Sequence, residues 1–536
     1  MNGIAYEEAL RALRQSDLPL RPEKLTKEEL LGQFHPDYQA SARTALAVGA
    51  NKGEPCHPEL AALLLSNPLI TDRDLAGAEA LATDVLVIGG GGAGAAAALS
   101  AAEAGASVLM VNKLRIGDSN TVMAEGGIQA AVGAEDSLQQ HFDDTLKGGH
   151  RVGDRRLIAQ MVKDAPGVIR WLIELGMNFD LAADGSNRLQ RKRAGGTTVP
   201  RILCHRDFTG LEMMRVLREA VELERKIQLL NRHPAIELLS DEHGRCAGAV
   251  VYDLERRQLI LIHAKATILA TGGSGRLHLQ GFATSNHYGA TADGLVLAYR
   301  LGARLRDLDS FQYHPTGVAA PASLAGALIS EAVRSAGTRL VNGLGERFID
   351  ELGPRDLVAA AILRECAEGR GIVKDGQLGV FLDTPRLIAA QPDIRKRLVT
   401  MEHVAHKCGL DPSVEPLLIH PTLHYQNGGI VIDGDGATTV AGLYAAGEVS
   451  GGIHGRNRLM GNALLDIISF GRRAGAAAAH NGLPLKKMRG GLGHIYALQR
   501  ELTHAGLTPD CSAPLLYPGY GSFTLQLQRP EEKHHV

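Results

Sequence analysis

Residues 89–94 form the part of this sequence whose chemistry is easiest to specify. Five of the six are glycine, and Gly89, Gly91 and Gly94 have the spacing G-x-G-x-x-G. Such glycines allow a tight turn and a close approach of the backbone to a pyrophosphate, while a following helix offers N–H donors and its positive dipole end. The segment therefore predicts a dinucleotide-binding turn, provided that a strand precedes it and a helix follows.

A second group of residues could stabilise charge or move a proton. Glu331 and Arg334 are three positions apart, which places them on one face of a helix. On spacing alone, an ordinary surface ion pair fits as well as a functional pair. His314, before Pro315, is expected in a loop, whereas an isolated histidine such as His278 is expected to be structural or exposed.

Metal and thiol chemistry find little support in the sequence. The cysteines at positions 56, 204, 246, 366, 408 and 511 are dispersed, and no two form a C-x-x-C pair. We therefore expect reduced thiols, and an organic cofactor for any redox chemistry. Asp143 and Asp144 are adjacent carboxylates without a nearby His/Cys cluster, so no metal site is predicted.

The elements around the glycines meet the requirement for a dinucleotide site. Residues 84–88 predict a strand, 95–105 a helix and 107–111 a second strand, which together make a β-α-β unit. The second strand ends at Asn112 and Lys113, where an acidic residue usually holds a ribose hydroxyl. Asn112 can still accept such a hydrogen bond, but the preference for NAD is weakened.

Two later segments repeat the pattern of a strand that enters a glycine turn. They are residues 264–271, followed by Gly272 and Gly273, and residues 442–448. The long insertions between them predict one cofactor domain assembled from separated parts of the chain. The boundaries expected are 1–80 for a helical N-terminal extension, 81–306 and 421–485 for the cofactor domain, 307–420 for a second domain and 486–536 for a tail with one helix.

The composition excludes several other classes of function. Basic and acidic residues number 57 and 59, which argues against binding nucleic acid or an anionic membrane by charge. The first residues lack the basic and apolar regions of a secretory signal, and no apolar run approaches the ~20 residues of a membrane span. We therefore expect a cytoplasmic protein without a direct membrane span; association with a membrane through partner subunits is the alternative.

Several segments, taken in order, resemble the flavoprotein family of succinate dehydrogenases, fumarate reductases and L-aspartate oxidases. The segments are 84–94, 119–128, 311–317, 331–334, 354–356, 424–429 and 447–458. The resemblance covers about residues 82–480. It implies an α/β fold with a discontinuous, Rossmann-type FAD-binding domain and an inserted α+β capping domain that holds substrate against it; the N-terminal helical arm lies outside it.

The resemblance also implies roles for individual positions. Arg355 resembles the family's proton donor, and Glu331 and Arg334 match the relay that must reprotonate it, since a guanidinium is normally never deprotonated. The positions that match substrate-binding residues are His314, Ser330, His424, Arg458, Phe142 and Gln312. The positions expected to bind FAD are Gly89, Gly91, Gly94, Asn112, Lys113, Ser119, Asn120, Thr121, Gly126, Gly127, Thr271, Gly272, Glu448, Asn462 and Leu464.

Three departures from the family pattern matter. Asn120 stands where membrane-bound members attach FAD through a histidine, which implies non-covalent FAD and a preference for fumarate reduction. Arg456 stands where the family typically has Ala; a role in substrate choice and a contact with a redox partner are both left open. The chain lacks the long helical C-terminal region of some members and any haem or iron–sulfur motif, so electrons are expected to come from an iron–sulfur or other electron-transfer subunit or a soluble donor, or to leave to oxygen.

Three hypotheses for function follow from this resemblance. The first is an enzyme that interconverts the C4-dicarboxylates fumarate and succinate by hydride transfer from flavin, with proton delivery by Arg355. The second is an L-aspartate oxidase, for which Asp143 would be the carboxylate that holds the substrate ammonium. The third is a non-catalytic flavin electron-relay subunit, which does not account for the retained set of charged residues.

Overall fold

The largest layer of the computed structural model, which describes residues 2–482 and 490–516, is a seven-stranded sheet. Six strands follow one another in the spatial order Ile227–Asn231, Val108–Asn112, Glu79–Ile88, Gln258–Leu269, Cys246–Asp253 and Ala235–Ser240. The seventh, Leu443–Ala445, pairs with the carboxyl end of Gln258–Leu269. The first four strands and the seventh are joined by parallel pairings, and the remaining two are added by antiparallel pairings. The sheet therefore joins parts of the chain that are far apart in sequence.

The parallel part of this sheet is covered by closely packed helices. Helix Gly92–Glu103 packs on strand Glu79–Ile88 and against helices Asn462–Asn481 and Thr209–Leu223. A Cβ at Gly475 would lie 2.1 Å from the backbone oxygen of Ala97. The glycine- and alanine-rich sequence thus allows two helices to approach backbone to backbone. Other helices on this side of the molecule are Leu138–Gly148, Arg155–Glu174 and Asp293–Arg300.

A second sheet has six strands and forms, with its helices, a body that we call the cap. Its strands are Ile4–Ala5, Ile372–Lys374, Gln377–Leu382, Leu417–Gln426 and Phe311–Val318 in spatial order, with Leu340–Val341 paired to Gln377–Leu382. Its helices are Glu331–Ser335, Arg355–Ala367, Thr384–Ala390, Ile394–Arg397 and Val399–Lys407. The cap has its own apolar core, which includes Val358, Ile362 and Val380.

Three smaller sheets complete the strand structure of the described residues. Leu305–Arg306, Gly429–Val431 and Ser450–Gly451 form one, and two pairs are Thr44–Ala45 with Pro55–Cys56 and Ile128–Gln129 with Ile202–Leu203. The first of these sheets lies where the chain leaves and re-enters the cap. It therefore connects the two bodies.

The N-terminal part of the chain lies across both bodies. Helices Tyr6–Gln15 and Lys27–Phe34 contribute buried side chains to the cap, whereas helix Pro58–Leu64 packs with the seven-stranded sheet. All three helices lie within residues 1–80, where the sequence predicts a helical extension. The predicted extension is thus shared between two cores, and we keep the domain boundaries given above as a proposal.

The described part of the C-terminal segment packs on the antiparallel side of the seven-stranded sheet. Helix Gly493–His504 contributes Ile495 to a cluster with Ile236 and Leu259. This helix agrees with the one helix that the sequence predicts in the tail of residues 486–536. The rest of the predicted tail, residues 486–489 and 517–536, lies outside the described residues.

Candidate active site

A cavity of about 970 Å³ lies between the seven-stranded sheet and the cap. Ligands of open α/β sheets bind at the carboxyl ends of the parallel strands, and the cavity wall includes Ile88 and Ala270 at two such ends. Most of the predicted site residues line it: Gly89, Gly91, Asn112, Lys113, Ser119, Asn120, Thr121, Gly126, Gly127, Thr271, Gly272, Glu448, Leu464, His314, Ser330, Glu331, Arg355, His424 and Arg458.

The glycine turn forms the cavity wall between strand Glu79–Ile88 and helix Gly92–Glu103. Gly89 has a φ of +112°, in the region that favours glycine. A Cβ at Gly94 would lie 1.8 Å from the backbone oxygen of Gly89. Gly94 therefore lies behind the wall, where it lets the helix pack closely, and the turn presents its backbone to the cavity.

Two buried polar atoms beside this turn have no hydrogen-bond partner within the described residues. They are Asn112 Oδ1 and Thr271 Oγ1, and both residues line the cavity. Buried polar groups without partners are costly, and the hydroxyl groups of a dinucleotide could satisfy both. Together with the glycine turn at a helix N-terminus, they fit FAD.

Asn120 is held on the cavity wall by hydrogen bonds on both ends of its amide. Its Nδ2 donates to Asn286 Oδ1 (2.7 Å) and Glu448 Oε2 (3.1 Å), and its Oδ1 accepts from the backbone N–H of His287 (2.6 Å). Burial raises the pKa of Glu448. Position 120 therefore presents an oriented amide to the cavity and no nucleophile.

Lys113 and Asn462 support the cofactor side through contacts within the protein. Lys113 Nζ donates to Thr291 Oγ1 (2.7 Å) and pairs with Asp293 (2.8 Å). Asn462, at the start of helix Asn462–Asn481, bonds His141 and does not line the cavity. The structure thus places Asn462 beneath the site and leaves its predicted contact with FAD unsupported.

At the cap end of the cavity, two histidines come from neighbouring antiparallel strands. His314 lies in strand Phe311–Val318 rather than in the loop expected from the sequence, because residues 311–318 pair with Leu417–Gln426. The register skips from Tyr425 to Leu423, so His424 is the extra residue of a bulge. The bulge brings the two imidazole ring centres to 5.0 Å.

The proposed proton relay is assembled at the same end. Arg355 Nε donates to Glu331 Oε2 (2.8 Å), and Arg334 pairs with the same oxygen (3.2 Å). Glu331 Oε1 accepts from the backbone N–H of Gly195 (3.1 Å). Both partners of the Glu331–Arg334 pair are buried, so the alternative of a surface ion pair is wrong.

Gln312 lies between the guanidinium groups of Arg355 and Arg458 and bonds both. Its Oε1 accepts from Arg355 (3.0 Å) and from Arg458 (3.1 Å), while its Nε2 donates to Asn457 Oδ1 (2.9 Å). Gln312 does not line the cavity. The sequence predicts a substrate-binding role for Gln312, but its Oε1 bonds the two guanidinium groups and its Nε2 bonds Asn457 and the backbone oxygen of Arg458.

The electrostatic state of these groups follows from burial and from their neighbours. Burial and Arg355 lower the pKa of His314 and of His424 well below the ordinary value, so both rings are neutral donors at pH 7. Burial opposes ionisation of Glu331, but Arg355 and Arg334 outweigh it and lower its pKa to about 2. Burial and Arg355 lower the pKa of Arg458 to about 10, which leaves it charged at pH 7.

Ser330 is placed at the entrance to the helix that carries the relay. It caps helix Glu331–Ser335 by accepting from the backbone N–H of Ala332 (3.3 Å). The residue lines the cavity, so its O–H can still donate to a ligand. This geometry agrees with a substrate-binding role.

Two residues expected near the substrate are not brought to the cavity. The ring of Phe142 is half-buried under the guanidinium of Arg155, 5.8 Å from its centroid. Asp143 is exposed on helix Leu138–Gly148, where it accepts from Gln139. Neither residue lines the cavity. The sequence motif alone did not show that both lie outside it.

Arg456 takes no part in the cavity wall. It makes a two-armed ion pair with Asp309, at 2.7 and 3.2 Å, and Arg43 pairs with the same carboxylate. Asp309 precedes the strand Phe311–Val318, which carries Gln312 and His314. Arg456 therefore links the loop that ends in Arg458 to the segment that leads into strand Phe311–Val318 of the cap.

Sequence reasoning missed residues that orient the predicted ones. Ser285 lines the cavity and bonds His424 Nδ1 (2.9 Å), and the ring of Tyr425 lies under the guanidinium of Arg458. Ser285 belongs to no recognisable motif. Tyr425 directly follows His424 in one of the segments that carry the family resemblance. That position is the sequence feature from which its role could have been predicted.

The fold and the site define a flavin-dependent oxidoreductase. Residues 84–464 match the family described as "FAD binding domain". The chain is 41% identical over 418 residues to a fumarate reductase (CoM/CoB) subunit of Methanothermobacter marburgensis, a match that covers 76% of this chain and 74% of that protein. It is 38% identical to an L-aspartate oxidase of Streptomyces coelicolor, with 75% and 69% covered.

A solved structure agrees with this assignment. The FrdA chain of a quinol fumarate reductase variant from E. coli superposes with a TM-score of 0.71 at 31% identity, covering 79% of this chain and 75% of that one. The chain belongs to the FAD-binding flavoprotein family of fumarate reductases, succinate dehydrogenases and L-aspartate oxidases. The predicted family, α/β fold, enzyme class and FAD cofactor are thereby confirmed.

Proposed function

We propose that this protein interconverts fumarate and succinate and favours fumarate reduction. One observation carries the proposal: Arg355, Arg458, His314 and His424 meet at the cap end of a cavity whose other wall fits FAD. A site with two buried guanidinium groups and two neutral imidazole donors suits a small molecule with two carboxylates.

Different side chains bind the two carboxylates of the substrate. Arg458 offers a planar fork to one carboxylate, and His314, His424 and Ser330 offer neutral donors to the other. These groups also draw electron density from the double bond and offset the negative charge that develops at carbon during reduction. Closure by the cap excludes water from the reacting atoms.

The chemistry needs one hydride and one proton. FAD held at the glycine turn of residues 89–94 would, in its reduced form, be the source of the hydride for one alkene carbon. Arg355 gives a proton to the other carbon, and the bond between Arg355 Nε and Glu331 (2.8 Å) points to its reprotonation through that carboxylate. Arg334 passes a proton to Glu331 in turn and regains one from solvent, so the site returns to its starting state and the product is succinate.

The protonation state of Glu331 fits a group that passes a proton between two arginines and does not hold one at rest. Arg355 and Arg334 lower its pKa to about 2 against the effect of burial, so it rests as a carboxylate. A carboxylate between two guanidinium groups can accept a proton from one and give it to the other within the same turnover. Gly195 and Arg334 keep it in place.

We also propose non-covalent FAD and an electron-transfer partner, such as an iron–sulfur subunit. Asn120 supports the first, since its amide is bonded on both ends. The second is supported by the relative from M. marburgensis, whose name describes it as one subunit of a reductase. No helix of residues 2–482 and 490–516 has the length and apolar character needed to cross a membrane; a cytoplasmic location stays a prediction.

The geometry gives the aspartate oxidase alternative no added support. An amino dicarboxylate needs an acceptor for its ammonium group, and Asp143, which the sequence offered for that role, is exposed outside the cavity. The activity is therefore best tested against both substrates. Purified, FAD-loaded protein is given reduced viologen with fumarate, and separately L-aspartate with oxygen.

The assay has three distinct outcomes. Viologen oxidation that depends on fumarate supports the proposal. Aspartate oxidation without fumarate turnover overturns it in favour of an oxidase. Turnover of neither substrate overturns it in favour of a non-catalytic flavin subunit.

A further inference from the structure

Arg458 is a buried guanidinium that forms no direct ion pair with a carboxylate among the residues described. Its side chain is 5% exposed, and the only protein acceptor within hydrogen-bond distance in those residues is Gln312 Oε1, at 3.1 Å. Its Nε has no partner there. Other buried arginines are arranged differently: Arg300 pairs with Glu237, and Arg201 with Asp136 and Asp144. Glu448 and Glu331 favour its charge only from a distance, and a buried charge without a direct ion pair requires further stabilisation.

The aromatic ring of Tyr425 supplies stabilisation to the charge of Arg458. The guanidinium carbon of Arg458 lies 4.5 Å from the centroid of the Tyr425 ring, within the range of a cation–π contact. Tyr425 is 6% exposed, so the contact is shielded from water. A carboxylate at this place would neutralise the charge and occupy its N–H groups, whereas a ring supports the charge and leaves the donors free.

The ring is held in its position from the other side. Tyr425 O–H donates to Asp466 Oδ2 (3.3 Å), and His454 Nε2 lies 3.2 Å from the same oxygen. The His454 ring also meets the edge of Tyr425, with centroids 5.3 Å apart and planes at 82°. Asp466 and His454 are both buried. This support fixes the ring plane beneath the arginine.

We propose that Tyr425 is a positioning residue for substrate binding, which holds Arg458 charged and aimed at a substrate carboxylate. This inference rests on the proposed function, because it takes a dicarboxylate as the ligand. Tyr425 lines the cavity, but the scheme above assigns it no bond to substrate or cofactor, and its proposed action is through Arg458. The ring, rather than the hydroxyl group, is the part that matters.

The test measures binding of malonate, a dicarboxylate without a reducible double bond, to the FAD-loaded protein by calorimetry. We expect Tyr425→Leu to raise the Kd at least about tenfold, and Tyr425→Phe to stay within about threefold, since Phe keeps the ring. Tyr444→Leu is the matched control, because Tyr444 is equally buried, at 6% exposure, and lies outside the cavity wall. It should lower the Tm without changing the Kd.

A fluorinated series keeps the proposal testable if the leucine variant does not fold. Phenylalanine analogues with one to three fluorines at position 425 keep the ring's shape and weaken its negative face. The Kd for malonate should rise with each fluorine while the Tm stays nearly constant. A purely structural role of the ring would leave the Kd unchanged across the series.

The outcomes separate this inference from the proposed function. Unchanged binding in Tyr425→Leu or in the fluorinated series, or an equal loss in Tyr425→Phe, overturns the role of the ring alone. A parent protein that binds neither malonate nor succinate and reduces no fumarate overturns the proposed function, and this inference with it.

Discussion

At the scale of single residues, the site is a set of cations whose charge is only partly balanced. Arg355 shares Glu331 with Arg334, and Arg458 relies on an aromatic ring. Gln312 keeps the two cavity-lining arginines apart with one amide oxygen. The net positive charge that remains attracts a dianion.

The proposed role of Arg355 leads to a prediction about turnover. Replacing Arg355 by Ala removes the proton donor but no residue of the glycine turn, so FAD should stay bound while fumarate reduction falls by about 10²–10⁴-fold. Steady-state kinetics with reduced viologen and the flavin-to-protein ratio measure both. Arg395→Ala, which breaks an exposed pair with Glu402 on the cap, is the control and should keep its rate. Near-normal rates in Arg355→Ala would exclude the donor role.

The environment of Asn120 leads to a prediction about cofactor attachment. An amide bonded at both ends offers no nucleophile to the flavin. Precipitation with acid should therefore leave all of the flavin in the supernatant, where its absorbance is measured. Flavin that stays in the washed pellet would contradict non-covalent binding.

At the scale of elements, the cofactor wall depends on how closely two helices pack. Helix Asn462–Asn481 approaches helix Gly92–Glu103 through Gly471 and Gly475. A Cβ at Gly471 would lie 2.5 Å from the backbone oxygen of Ala93. Since the second helix begins in the glycine turn, a shift of either helix is transmitted to the cavity.

Gly475→Ala tests this coupling. The added methyl group would meet Ala97 O at 2.1 Å, so the helices must separate, at a cost of about 1–3 kcal/mol. We expect a lower Tm and weaker retention of FAD, measured by thermal unfolding and by flavin loss on dilution. Gly167→Ala, in helix Arg155–Glu174 with open space around it, should instead stabilise the protein by about 1 kcal/mol. Equal behaviour of the two variants would refute the argument.

At the scale of the whole molecule, the N-terminal segment ties the cap to the cofactor-binding body. Asp37 is buried; one of its oxygens pairs with His57 (3.0 Å) and the other accepts from the backbone N–H of Phe311 (2.7 Å). Phe311 begins the strand that carries Gln312 and His314. The segment that the sequence left without a role thus anchors one wall of the site.

Asp37→Asn should reveal this anchor through its dependence on pH. Burial opposes ionisation of Asp37, but the bond and the electrostatic attraction from His57 and the Phe311 N–H hold its pKa below the ordinary value. A depressed pKa in the folded state stabilises the protein above about pH 4, and this contribution is lost as the pH falls through the folded-state value. We expect the variant to be less stable by about 2 kcal/mol or more at pH 7.

The measurement is denaturant unfolding of both proteins at several pH values. The difference between them should shrink as the pH decreases below about 4. A difference that stays constant with pH would show that the charge of Asp37 is not what anchors the strand.

The sequence by itself determined the local chemistry of the glycine turn, since G-x-G-x-x-G between a strand and a helix depends on neighbours a few positions apart. The ordered segments also identified the family and several residues that line the cavity, including Arg355 and Arg458. Both results rest on residue types and short spacings, which the chain carries without folding.

Only the tertiary structure decided which of these residues meet. His424 reaches His314 because a bulge shifts the strand register. Phe142 and Asp143, in helix Leu138–Gly148, lie outside the cavity. The contact of Tyr425 with Arg458 joins positions 33 residues apart, and Asp37 reaches Phe311 over 274. Such contacts depend on packing between distant segments, whose geometry no local pattern specifies.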